Sequence, residues 1–232
     1  FKPRKSLVVL LRHIMQDKGT EKLSTFLKEC LAAGCLKGFE YFELYSRGRE
    51  ELLVTVKYID KSTSTASGVA SSPSKLNTVE GGLPPASPST KDTEQLSENY
   101  AFLIGCYTKY KSPFVWVRSN HSKLVENLKL NSNKDTPLEL QTTSQWKNKT
   151  IRLWEIVEEL VLRTLSPKNP FKIDFNYLNS LEGPQRIMMS GALVNFLKKI
   201  YLAAPPYADE IWQDMEKMID THFMTLSTVL PQ

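Results

Sequence analysis

The stretch Phe39–Asp60, FEYFELYSRGREELLVTVKYID, decides the fold. Its second arm alternates: Leu52, Val54, Val56 and Tyr58 fall on one face, Thr55 and Lys57 on the other, the period of a strand with one covered side. The first arm places Phe39, Tyr41 and Tyr45 on a face with Glu43 and turns Phe42 and Leu44 the other way, so both of its faces carry bulk to be partly covered. Between the arms, Ser46-Arg47-Gly48-Arg49 supplies the glycine that a hairpin loop of three to five residues needs for positive φ. The reading is a β-hairpin with a cationic tip.

Downstream, residues 61–97 change abruptly to Ser, Thr, Pro and Gly with few large apolar side chains, a composition that does not offset the entropy of ordering and predicts disorder. Ser72-Pro73 and Ser87-Pro88 in it are sites of the kind proline-directed kinases use. The stretch Glu98–Asn120, ENYAFLIGCYTKYKSPFVWVRSN, then repeats the earlier plan: an apolar strand, a turn with Lys109, Tyr110, Lys111 and Pro113, and an aromatic strand with Phe114 and Trp116. Two hairpins flanking the polar stretch predict a four-stranded antiparallel meander with an insertion inside one domain rather than a linker between two.

Helices surround this sheet. Ser6 caps a stripe of Leu7, Leu10, Leu11, Ile14 and Met15; Gly19 ends it, and Thr20 caps a second helix with Leu23, Phe26, Leu27, Cys30 and Leu31, closed by Gly34 at C′, giving an α-hairpin. Residues 121–130 form a short helix with Leu124, Val125 and Leu128, and a polar stretch runs on through Thr150. IRLWEIVEELVLRTL then lines up Ile151, Trp154, Val157, Val161 and Leu165. FKIDFNYL, alternating Phe171, Ile173 and Phe175, reads as a fifth strand or an extended connector. Gly183-Pro184 opens a helix through about Ala204, Pro205-Pro206 breaks it, and Tyr207 to about Leu226 forms the last. The fold class is α+β: an N-terminal α-hairpin, an interrupted meander, and C-terminal helices over about 150–232 packed on the sheet, within a single domain of 1–232.

At 232 residues the chain buries a core without disulfides or metals, and no apolar run approaches the roughly 20 residues of a membrane-spanning helix. FKPRK at the start is too short for signal-peptide anatomy. Cys30, Cys35 and Cys106 fit no zinc spacing and read as reduced core thiols, which places the chain inside the cell, in nucleus or cytoplasm. The two glycosylation sequons, at Asn120 and Asn148, carry little weight without a signal peptide. Cations predominate in residues 1–150, with 22 Lys and Arg against 15 Asp and Glu, whereas residues 151–232 hold 8 against 10, so an anionic partner suits the first part.

No phosphate loop, dinucleotide glycine pattern, GxSxG, HExxH or CxxC occurs, and His13, His121 and His222 lie apart from one another and from the cysteines. No catalytic residue, cofactor, metal or small-molecule substrate is signalled. Glu155, Glu158 and Glu159, like Asp209, Glu210, Asp214 and Glu216, read as solvated helix faces. Two surfaces remain. Arg47 and Arg49 at one turn and Lys109, Tyr110 and Lys111 at the other point the same way if the hairpins are neighbours, a set able to hold phosphates and stack on a base. Ile211, Trp212, Met215, Met218 and Phe223 form a Met- and aromatic-rich helical stripe suited to a protein partner. The functional expectation is a non-catalytic, scaffold-like subunit or adaptor of an intracellular multiprotein assembly that binds through its C-terminal helices, with a nucleic-acid-binding module using the cationic turns as the alternative. An enzyme would instead reveal itself as a deep pocket of converging polar groups.

Overall fold

A computed structural model describes residues 19–57, 99–120, 122, 124 and 135–229 of the chain. Four strands, β1 (Phe42–Ser46), β2 (Glu51–Val56), β3 (Tyr100–Gly105) and β4 (Phe114–Val117), pair antiparallel in chain order, which is the meander that the two hairpins predict. β2 pairs directly with β3 from Glu51↔Gly105 to Val56↔Tyr100, so residues 57–99 leave and re-enter the same sheet as an insertion. The disorder expected of residues 61–97 lies outside the described residues, as does Tyr58.

The register sorts the side chains. Phe42 and Leu44 face the same way as Val54 and Val56, as Phe102 and Ile104, and as Val115 and Val117, and this row is buried throughout. The other face carries Glu43, Tyr45, Leu53, Thr55, Leu103, Phe114 and Trp116. Hence β1 has a covered side of Phe42 and Leu44, while Phe39 belongs to a bent approach whose alternation does not continue into the strand.

Helices lie on the buried row. Residues 19–32 form α1, with Leu23, Phe26 and Cys30 in the core. The first helix of the expected α-hairpin and its Ser6 cap lie outside the described residues, but Gly19 and Thr20 are themselves helical, so neither a stop nor a cap stands there. Gly34 is not in the left-handed region that a C′ glycine takes; its role is closeness, since a Cβ there would stand 2.9 Å from Ser46 Cβ, and Ser46 N–H donates to the Gly34 carbonyl. Of the helix expected over 121–130, Ser122 and Leu124 are described and helical, with Leu124 buried.

The polar stretch before Thr150 holds a short helix, α2 (Gln141–Ser144), framed by buried Leu138, Leu140 and Trp146. α3 (Leu153–Leu165) follows, and its buried side is Leu153, Ile156, Val157, Leu160 and Val161. The stripe read from the sequence is corrected accordingly: Ile151 is buried ahead of the helix, and Trp154 and Leu165 sit at the flanks of the covered face. FKIDFNYL is a connector with a single antiparallel bridge, Phe39↔Ile173; Asp174 then caps α4 (Phe175–Ser180) by accepting from Tyr177 N–H at 3.0 Å. α5 (Gly183–Tyr201) opens with Pro in its first turn, and α6 (Ala208–Val229) returns antiparallel beside it after Pro205-Pro206.

The core centre is aromatic. Phe39 stacks on Phe42 at 4.4 Å and meets Phe171 and Phe196 edge-on at 6.1 and 5.7 Å, joining the sheet, the connector and α5. Gly38, at φ +102°, makes the bend before it, and a Cβ there would meet Leu193 Cδ1 at 2.9 Å. Phe39→Ala therefore opens a cavity at this junction, with an expected loss of about 3–5 kcal/mol in urea unfolding. Leu31→Ala, on the exposed side of α1, is the control, expected within about 0.5 kcal/mol of the parent.

Candidate functional site

The meander brings the two cationic turns together. Because Glu51 pairs with Gly105, the β1–β2 and β3–β4 turns project from the same end of the sheet, side by side. Arg47, Arg49, Lys109 and Tyr110 are exposed there and Lys111 is half-buried. Two carboxylates stitch the turns: Glu50 accepts from Thr108 Oγ1 at 2.9 Å and from Thr108 N–H at 3.3 Å, and Cys106 N–H donates to the Glu50 carbonyl at 2.7 Å. Glu51 accepts from the Tyr107 hydroxyl and faces Arg47 Nε at 3.8 Å. Burial, followed by that hydrogen bond, pushes the Tyr107 phenol up to about 12.

Behind the cations stands a ring cluster on the outer sheet face. Tyr107 lies 6.0 Å from Trp116 and 6.3 Å from Tyr110, Tyr110 meets Phe114 edge-on at 5.5 Å, and Phe114 lies 6.0 Å from Trp116. Gly105 makes this possible, for a Cβ there would stand 2.7 Å from the Tyr107 ring and 2.8 Å from that of Trp116. Arg118 and Lys109 lie over Trp116 and Tyr110 at 5.9 and 5.5 Å. The turn is held from beneath by Trp146 Nε1, which donates to the Lys111 carbonyl at 2.9 Å and so supports Lys111 at φ +57°. Tyr107, Phe114, Trp116 and Arg118 were not among the sequence candidates; their signal is the outward parity of Phe114, Trp116 and Arg118 and a strand glycine two residues before Tyr107.

The helical stripe divides in two. Ile211, Met215 and Met218 are buried against α5, whereas Trp212 and Phe223 are exposed. Trp212, Ile219 and Phe223 recur at helical spacing on the next face round α6, and Tyr201 of α5 packs on Trp212 at 5.4 Å. His222 Nδ1 meets the buried Ser190 Oγ at 2.8 Å inside the same pair.

Glu155, Glu158 and Glu159 of α3 and Asp214 of α6 turn inward rather than forming a solvated face, whereas Asp209, Glu210 and Glu216 of α6 are exposed, as the sequence predicts. Glu159 accepts from Gln141 and Thr142 N–H at 2.7 and 2.9 Å, capping α2 from α3, and pairs with Arg163 at 2.7 Å. Glu155 pairs with Lys149 and accepts from Arg152 N–H at 2.7 Å. Glu158 accepts from the Tyr207 hydroxyl, and Asp214 from Ile173 N–H at 3.2 Å. Burial raises both Glu158 and Asp214 above the usual carboxylate range. An open cleft of about 410 Å³ runs between α2 and α3, but its three glutamates are these same engaged ones. Among the described residues no group of three or more His, Cys, Asp or Glu comes together to hold a metal ion, and no helix is long and apolar enough to cross a membrane. Cys30 and Cys106 are buried thiols 3.9 Å apart, while Cys35 is exposed and so not the core thiol expected.

A family model described as a domain of unknown function (DUF7886) matches residues 87–224, more than half of the chain. The match takes in the β3–β4 hairpin, α2 to α5 and most of α6. No curated protein and no solved structure matches the chain.

The state of Glu158 has a measurable sign. Its raised folded value means that, between the unfolded-chain glutamate pKa and that value, the folded chain holds more protons, so stability falls as pH rises through the window. Glu158→Gln keeps an acceptor for Tyr207 and removes the charge. Urea unfolding over a series of mildly acidic pH values is expected to give a shallower fall than in the parent, and an identical slope would refute the assignment.

Proposed function

We propose that this chain, which belongs to the DUF7886 family, is a non-catalytic subunit or adaptor of an intracellular multiprotein assembly, in nucleus or cytoplasm, and docks a protein partner on the outward side of its C-terminal helix pair. The observation that carries this reading is the distribution of exposed apolar groups. Of the nine large hydrophobic side chains exposed among the described residues, six belong to α5, α6 or the turn joining them: Met188, Leu202, Trp212, Phe223, Met224 and Val229. A helix pair already closed by Leu193, Leu197, Ile200, Ile211, Met215 and Met218 has no need of them for its own packing.

The chemistry suits a partner. Met is adaptable and Trp and Phe anchor interfaces by filling pockets, so the stripe Trp212, Ile219 and Phe223 fits a groove or an amphipathic helix laid alongside α6. The three unpaired thiols agree with a reducing compartment. The engaged carboxylates leave no acid or base free for chemistry in the α2–α3 cleft, which favours binding over catalysis.

Phe223 and Met224 are 64% and 70% exposed, so replacing both with Asp is expected to shift unfolding stability by no more than about 0.5 kcal/mol per site. Affinity capture from cells, quantified for parent and double variant, is expected to show at least tenfold loss of the specific partner. Retention of the same partner at parent levels by a folded double variant would overturn the docking face.

A further inference from the structure

We infer that the outer face of the β3–β4 hairpin is a site for single-stranded nucleic acid, in which bases stack on Tyr110 and the ring cluster around it while Arg49, Lys109, Lys111 and Arg118 hold phosphates. The site uses none of the residues of the helical docking face and stands independently of it.

Three observations converge. The first is the surface itself. The described helices join the inner row of the sheet in one hydrophobic core, to which Tyr107, Phe114 and Trp116 do not belong, and Tyr110 is 52% exposed. Tyr107, Phe114 and Trp116 are part-buried and back the exposed Tyr110, which offers a supported π-face, and every base has a complementary one. The second is charge. Among the described residues, ion pairs engage Arg47 with Glu51 and leave Arg49, Lys109, Lys111 and Arg118 without a carboxylate. Glu50 and Glu51 are held by Thr108 and Tyr107 at the base of the turns, so the outward groups of this edge are mainly cations. The third is rigidity. The tip is fixed by Tyr110 N–H to the Tyr107 carbonyl at 2.9 Å, by Ser112 Oγ to the Tyr110 carbonyl at 3.3 Å and by Trp146 from below, so little ordering remains to be done on binding.

The ligand class follows from the combination. An acidic peptide would use the cations and leave the rings idle, and a duplex keeps its base faces stacked on one another. A strand with unstacked bases uses both.

The test is an anisotropy titration of the whole chain against a fluorescein-labelled mixed-sequence strand of about 20 nucleotides as DNA, the same strand as RNA, and the DNA duplex. Single strands are expected to bind in preference to duplex. If four phosphates are neutralised, affinity falls about fifty-fold between about 50 and 200 mM salt. Tyr110→Ala is expected to weaken single-strand binding about tenfold with the salt slope unchanged, and Tyr110→Phe to restore it. Arg49→Gln with Lys109→Gln is expected to lower the slope. A preference for DNA or for RNA identifies the sugar that the site takes. Absence of binding at the lower salt overturns the site, as does binding indifferent to Tyr110→Ala. Equal competition by a poly-glutamate peptide against a variant lacking the Tyr110 ring would assign the edge to an acidic protein instead.

Discussion

The burial of Phe39 is the constraint from which the rest of the arrangement follows. Its ring sits at zero exposure, stacked on Phe42 and edge-on to Phe171 and Phe196, so the bend before β1, the strand itself, the connector and α5 share one apolar contact. A ring placed so deeply carries its backbone inside with it, and those polar groups must find partners. They do so against the connector: Glu40 N–H donates to the Lys172 carbonyl at 2.9 Å, Asp174 N–H to the Gly38 carbonyl at 2.8 Å, and Lys57 Nζ reaches the Phe39 carbonyl at 3.0 Å. Docking the connector in this way sets where α4 starts and therefore where α5 and α6 lie over the sheet.

The carboxylates complete this arrangement and shape the surface charge. Glu29 of α1 accepts from Leu153 N–H at 3.0 Å and pairs with Arg152 at 2.6 Å, fixing the start of α3, much as Glu159 of α3 fixes the start of α2. Helix N-termini favour such anions, which also satisfy orphan N–H groups. The consequence reaches the outer surface. Of the acids in residues 151–232, Glu155, Glu158, Glu159, Asp174 and Asp214 are engaged by hydrogen bonds or ion pairs, while Glu182, Asp209, Glu210, Glu216 and Asp220 are exposed, so the mildly acidic balance of the sequence shows on the helices and not at the cationic sheet edge.

The sheet was legible because its signals are local. Alternation in LLVTV, a glycine at the turn and a second aromatic strand specify pairing without knowledge of anything distant. The two Arg and Lys turns were placed at one end by the same logic. Other features depend on partners far along the chain. Glu158 looks solvated on a helical wheel because Tyr207, its donor, is 49 residues away. Phe39 reads as part of a strand until the connector that bends its approach is known. The division of the α6 stripe into buried Ile211, Met215 and Met218 and exposed Trp212 and Phe223 requires the position of α5, which periodicity alone does not supply. The ring cluster was half visible: Phe114 and Trp116 show their parity, but Tyr107, folded back over Gly105, donates its hydroxyl to Glu51, 56 residues away in the chain.

The insertion between β2 and β3 has a kinetic meaning. β1 and β2 meet across residues 47–50, and β3 and β4 across 106–113, whereas β2 and β3 must close residues 57–99 before their first pair forms. In ideal-chain terms that closure costs about 2 kcal/mol more than the first turn, and isolated hairpins form within microseconds. The two halves of the sheet are therefore prepared early and wait on a search between them, so the time to reach the native state grows with the length of chain between Val56 and Tyr100.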